Sequence, residues 1–288
     1  MPSRPQLRFG DRSRRVGVQP VTPLSGLIDS PSAVGHNRPR VPGCERFMET
    51  KTMMPSFLRG IAGWSRVVWL AVTAGMLPAV AVSVLAEPAD NRWEPAIRAF
   101  ERDDRETAYL DNAILFVGSS SIRLWDTLAA DMAPHAVIQR GFGGARTADV
   151  VRYADRILAG RRPPALVLFV ANDIRGDAAT DLAPAAAAAQ FKAFLDHVRR
   201  ESPETVMLVV AVTPTESRWA VWPQIRRLNE RLAGLCDETA HTIFIPTEDL
   251  YLGPTGRPQP ELFRTDRLHL SPAGYARWTK RIRSYLDP

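Results

Sequence analysis

Cysteine is almost missing from this chain: Cys44 and Cys236 are the only two in 288 residues. A segment that reads as a processing site lies between them, so no disulfide framework is expected in the processed protein. Cys236 follows an amphipathic run and reads as a small buried apolar side chain, the alternative being a catalytic thiol. Histidine is also scarce, with five in all, and no group of His, Cys, Asp and Glu has metal-site spacing. Neither a metal nor another cofactor is therefore expected. The glycines at 141, 143 and 144 form neither a dinucleotide fingerprint nor a Walker loop, and the first serine cluster is not the Gly-x-Ser-x-Gly elbow of the α/β-hydrolases. Basic charge is lacking where a nucleic acid would need it. The sequence pI is about 9.8, yet residues 1–86 hold 11 Lys and Arg against 4 Asp and Glu, while residues 87–288 hold 26 against 27. The folded part carries no basic excess, which removes the main support for a nucleic-acid partner.

What is present divides the chain in three. Residues 1–50 are rich in Arg, Pro, Ser and Gly without an apolar period, the mark of a disordered or mis-started extension. Met48, Met53 and Met54 are candidate starts just ahead of the apolar run in residues 51–86. There, Lys51, Arg59 and Arg66 precede an uncharged apolar run over 67–86 that closes on Val84-Leu85-Ala86. This is the pattern of a signal peptide cleaved after Ala86. Its length also suits an uncleaved inner-membrane anchor. Either way, residues 87–288 are expected to be exported, periplasmic or secreted, with membrane contact only through residues 67–86 if these are retained.

From residue 93 onward, apolar runs of strand length alternate with helical patterns. Strands are expected at 113–117, 136–138, 165–170, 206–212 and 242–245, and helices at 93–105, 147–158, 183–200, 222–235 and 272–286. Unbroken hydrophobicity marks strands covered on both faces. Strand–helix alternation predicts an α/β domain, a parallel five-stranded sheet between two helical layers. Its crevice is expected at the carboxyl ends of the strands.

Four features there could carry chemistry. The first strand runs into Gly118-Ser119-Ser120-Ser121, a hydroxyl at the start of a helix, where N–H groups favour negative charge; simple helix capping is the alternative. After the second strand, Gly141-Phe142-Gly143-Gly144 lets backbone approach a ligand closely or makes a tight turn. The third strand ends at Asn172-Asp173, an amide aimed at the same crevice or a turn-forming pair. Asp266-Arg267-Leu268-His269 sets a carboxylate three residues from an imidazole just before the last helix. Imidazole is the usual base for a serine hydroxyl, and a carboxylate stabilises the imidazolium formed; the alternative is a solvated loop. His241 is the competing imidazole. Trp219, Trp222 and Tyr251 are candidates to line an acceptor site, with core packing the alternative for Trp222.

In order and placement these features resemble the GDSL or SGNH hydrolases, near the platelet-activating factor acetylhydrolase subunits and lysophospholipase/thioesterase I. The resemblance covers about residues 93–288. It implies a three-layer α/β/α sandwich of flavodoxin-like type, with Ser120 as nucleophile, His269 as base and Asp266 as its support. The oxyanion hole it implies consists of the N–H groups of Ser120 and Gly144 and the amide of Asn172. Leu270-Ser271-Pro272-Ala273-Gly274-Tyr275 resembles the stretch that follows the family's Asp-x-x-His. Three positions depart from the pattern. Ser119 replaces the usual aspartate, leaving Ser121 as an alternative nucleophile; Gln139 replaces a frequent asparagine; and no glycine precedes Asn172. The expected function is hydrolysis of small acyl esters on carbohydrates, lipids or other alcohols, with the small ester as partner. A non-catalytic glycan or lipid binder and an O-acyltransferase are the alternatives on the same fold. The oligomeric state stays open.

Overall fold

Short apolar runs bury their backbone polar groups best by pairing with one another. In the computed structural model, which describes residues 92–287, five of them do so: β1 (Ile114–Gly118), β2 (Val137–Gly141), β3 (Ala165–Phe169), β4 (Val206–Val210) and β5 (Thr242–Ile245). All pairings are parallel, and the order across the sheet is β2-β1-β3-β4-β5. The α/β sandwich read from the sequence is the observed fold. The expected extension (1–50) and signal or anchor (51–86) lie outside the described residues. No helix among the described residues is long and apolar enough to cross a membrane.

Every residue of β1, β3 and β4 is buried, because successive side chains enter cores on opposite faces. Leu115, Val117, Leu166 and Leu168 pack with residues of α1 (Glu94–Glu106), α4 (Thr147–Arg152), α5 (Ala154–Leu158), α6 (Pro184–Glu201) and α7 (Trp222–Glu238). Ile114, Phe116, Val167 and Phe169 pack with residues of the single turn α2 (Ser120–Arg123), α3 (Leu128–Met132), α8 (Glu248–Tyr251) and α9 (Pro272–Leu286). Cys236 sits in the first of these cores at 3% exposure. Burial, helped by the charge of Asp237, pushes its thiol up to about 12. A Cys44→Ser chain should therefore resist maleimide until denaturant is added, read as mass gain over time. Labelling of the native protein within minutes would contradict the burial.

The sheet departs from the sequence expectation mainly at β2, which runs past residue 138 to Gly141. Gln139 and Arg140 break the apolar run, but both side chains find partners inside, the buried Arg140 Nε alone lacking one. Gln139 Nε2 donates to the carbonyls of Ile122 (2.5 Å) and Trp125 (3.2 Å). Arg140, 1% exposed, pairs with Asp104 and lies over the rings of Phe100 and Tyr109. The helix expected over 147–158 is two helices, α4 and α5, separated by Tyr153 at φ −101° and ψ 11°. α9 occupies the expected span, with Ser271 as its cap.

The chain leaves β1 for β2 on one side and returns to β3 on the other. The loops after β1 and β3 therefore diverge, opening a crevice at the carboxyl edge.

Candidate active site

Ser120 enters this crevice straight from β1. At Gly118, φ is +158°, and an added Cβ would lie 2.0 Å from the Phe169 carbonyl oxygen, so only glycine fits. That close approach lets the Ser119 N–H donate to the same oxygen (3.1 Å), fixing the turn against β3. The helix that Ser120 opens is four residues long. The expected helix field thus reduces to the first N–H groups of one turn, since those of Ile122 and Arg123 already donate to the Ser119 carbonyl, each at 3.1 Å.

The loop before α9 brings the imidazole. Asp266 Oδ1 accepts the backbone N–H groups of Leu268 and His269, each at 2.9 Å. Arg267 adopts a left-handed φ of 56°, curling the loop so that His269 Nδ1 meets Asp266 Oδ2 at 2.6 Å. The acceptor-only carboxylate puts the ring proton on Nδ1, leaving the Nε2 lone pair towards Ser120 Oγ at 2.9 Å. Burial pulls the Asp266 pKa upward, but the bonds from the His269 ring and the two N–H groups outweigh it, bringing it down to about 2. Asp266 is thus anionic across the neutral range. Tyr275, in the first turn of α9, donates its hydroxyl to the Ser121 carbonyl (2.9 Å). It also stacks on Trp125 at 5.2 Å. These contacts tie the imidazole loop to the serine turn across 154 residues.

Gly144 holds φ +76° and abuts Trp93, whose ring an added Cβ would meet at 3.2 Å. Its loop is fastened from β3: Asp173, 1% exposed, accepts from Thr147 Oγ1 (2.6 Å) and the Thr147 N–H (3.2 Å). Burial raises the Asp173 pKa against those bonds. Asn172 beside it is 6% exposed; its Nδ2 donates to the Ala145 carbonyl (2.8 Å), and its Oδ1 accepts from Arg218 Nη2 (2.7 Å).

The structure thus gathers Ser120, Gly144, Asn172, Asp266 and His269 in one place. Ser120, Asn172 and His269 line both an open cleft of about 460 Å³, shared with Trp93, Arg123 and Gly144, and a recess of about 20 Å³. The recess is completed by Ser121, Ala171, Thr213, Arg218 and Leu268 among others. Ser121 lines it, but Ser120 is the hydroxyl within hydrogen-bond reach of His269. His241 precedes β5 at the amino edge of the sheet, remote from the crevice. Tyr251 is fully buried, with its hydroxyl on the Gly274 carbonyl. Trp222 is a core residue stacked on Trp219 at 6.2 Å. Neither recess nor cleft is lined by these three rings; the aromatic residues there are Phe169 in the recess and Trp93 in the cleft. Among the described residues, no group of three or more His, Cys, Asp or Glu is placed to hold a metal ion.

Sequence reasoning missed Arg218, Asp173–Thr147 and Tyr275–Ser121. The signal for Arg218 was its place just past the carboxyl end of β4, where the crevice rule applies as it does to the first three strands.

An oriented imidazole on a serine hydroxyl, facing N–H and amide donors, is suited to acyl transfer. Residues 116–277 match the sequence model of the GDSL-like lipase/acylhydrolase family. No curated protein matches the chain by sequence. Among solved structures, a Streptococcus pneumonia protein whose name refers to platelet activating factor aligns at TM-score 0.60 and 24% identity, over 67% of this chain and 92% of that one. A GDSL-like lipase from Bacteroides thetaiotaomicron aligns at 0.58 and 14%, over 66% and 97%. A variant of an acetyl xylan esterase from Geobacillus stearothermophilus aligns at 0.52 and 12%, over 61% and 94%. At these identities the structural likeness is one of fold.

Proposed function

The chain belongs to the GDSL-like lipase/acylhydrolase family, and from that premise we propose a serine hydrolase of small acyl esters working through an acyl-enzyme. Ester hydrolysis is the activity at the level of the family. The observation that carries the finer reading is the continuous line Asp266 Oδ2, His269, Ser120 Oγ, with contacts of 2.6 and 2.9 Å. His269 takes the Ser120 proton as Oγ attacks the ester carbonyl, and Asp266 stabilises the imidazolium. The N–H groups of Ser120 and Gly144 and the Asn172 amide meet the oxyanion. The imidazolium then protonates the leaving alkoxide, and water activated by His269 releases the acid.

The two cavities support a small acyl group and a larger alcohol. A recess of about 20 Å³ holds little more than a methyl- or water-sized group. The open cleft of about 460 Å³ bordered by Trp93 admits a sugar ring. An O-acetylated carbohydrate is therefore the proposed substrate class, in keeping with the acetyl xylan esterase named among the structural relatives. The apolar run over 67–86 supports export, to the periplasm or beyond.

The test is turnover of p-nitrophenyl acetate, butyrate and octanoate, then release of acetate from acetylated xylo-oligosaccharides. Turnover is expected to fall at least about tenfold from acetate to octanoate, since so small a recess rejects added methylenes. A preference for octanoate would overturn the small-acyl reading. Transfer of acetyl to an added sugar in place of water would make the protein an acyltransferase, and absence of any turnover a binding protein.

A further inference from the structure

Arg218 is a charge buried where no ordinary packing role requires one. It is 9% exposed, on the 3₁₀ turn Glu216–Val221, and lines the recess with Ser120, Asn172 and His269. Both hydrogen-bond partners are neutral oxygens: Nη1 donates to the Ala171 carbonyl, and Nη2 to Asn172 Oδ1 at 2.7 Å. No carboxylate among the described residues forms an ion pair with it. An unpaired buried guanidinium is costly, and burial above all, with the repulsion of Arg175, draws its pKa down to about 10. It remains a cation at neutral pH.

The chemistry of Asn172 gives that cost a purpose. A side-chain amide can turn over, exchanging its oxygen and nitrogen. Turned the wrong way, Asn172 would present a lone pair to the oxyanion and repel it. Here each end is held by a group with one possible role. The Ala145 carbonyl only accepts, taking one Nδ2 hydrogen at 2.8 Å; the guanidinium only donates, taking Oδ1. Reversal would set oxygen against oxygen and an NH₂ against a cation. The second Nδ2 hydrogen is thereby fixed as a donor, and the cation on Oδ1 polarises the amide and strengthens that donor. The same turn also reaches the imidazole loop, as the Ser217 N–H donates to the Arg267 carbonyl at 3.3 Å.

We propose that Arg218 is a positioning residue that locks and polarises the Asn172 amide as an oxyanion donor. The inference rests on the hydrolase reading given above. It gives Arg218 an effect on the transition state, where charge develops on oxygen, and little effect on the neutral ground state.

The experiment compares the full chain with Arg218→Met, Arg218→Lys, Asn172→Ala and the Asn172→Ala/Arg218→Met double variant on p-nitrophenyl acetate. Rates are normalised to Ser120 titrated by a fluorophosphonate, so that misfolded protein drops out. Arg218→Met is expected to lower kcat about 30- to 100-fold with KM within about threefold. Arg218→Lys, which cannot hold both oxygens in one plane, should fall between it and the wild type. In the Asn172→Ala background, removing Arg218 should cost less than about threefold more, because its object is gone. An Arg218→Met kcat within threefold of wild type, or two losses that multiply in the double variant, would overturn the proposal. Where Arg218→Met yields no titratable Ser120, Arg218→Lys decides: an unchanged kcat overturns the proposal, and a lowered kcat at constant KM supports it. A wild type inert on every ester overturns the hydrolase reading and this inference together. An active wild type with unimpaired Arg218 variants overturns this inference alone.

Discussion

Ser120→Ala is expected to reduce ester turnover by about ten-thousandfold or more, while Ser121→Ala stays within a few-fold of wild type. The two hydroxyls are neighbours in the chain and both line the recess, so composition cannot separate them. Geometry does, because His269 Nε2 lies 2.9 Å from Ser120 Oγ. Ser121 instead uses its backbone carbonyl, which accepts the Tyr275 hydroxyl. Alanine at 120 removes no packing contact of the buried core and leaves the Gly118 approach intact, so the melting temperature should hardly move. The measurement is kcat on p-nitrophenyl acetate beside a thermal melt of each variant. Activity that survives in Ser120→Ala and vanishes in Ser121→Ala would shift the nucleophile by one residue. Equal losses in both would point to a damaged turn.

Asn172→Ala is expected to lower kcat by about a hundred- to a thousandfold, the usual loss for one oxyanion donor, with KM little changed. A stability loss of about 1–3 kcal/mol should accompany it, because the Ala145 carbonyl and the Arg218 guanidinium each lose a buried partner. The two effects separate experimentally: denaturant melts report the second, and turnover per titrated Ser120 reports the first. Turnover unchanged in a folded Asn172→Ala would remove the amide from the mechanism and leave the backbone N–H groups to hold the oxyanion.

How much of this was legible in the sequence depends on how far each interaction reaches along the chain. β1, β3 and β4 announce themselves because both faces are buried, which demands an unbroken apolar run. β2 does not, because it contains Gln139 and Arg140, whose partners are carbonyls after β1 and an acid on α1. The break at Tyr153 is equally silent, since apolar residues continue on either side of it. In the site, Asp266 and His269 are three residues apart, and Ser120 and Asn172 each follow an apolar strand. Local pattern was enough to bring these forward. Arg218 meets Asn172 across 46 residues, on a turn whose sequence has no period, and only its position after β4 hinted at it. Trp93, the first residue of the helix expected over 93–105, packs against the core and is also a wall of the cleft. A sequence does not display such double use.

The separation of 149 positions from Ser120 to His269 also sets a timetable. During synthesis Ser120, both strands that flank β1 and Asn172 exist long before the imidazole loop is made. Until Asp266 and His269 have joined the chain and Tyr275 has bolted them to the serine turn, Ser120 Oγ lacks its imidazole partner. On the proposed reading, competence to cleave esters therefore arrives in one late step, when the imidazole loop docks.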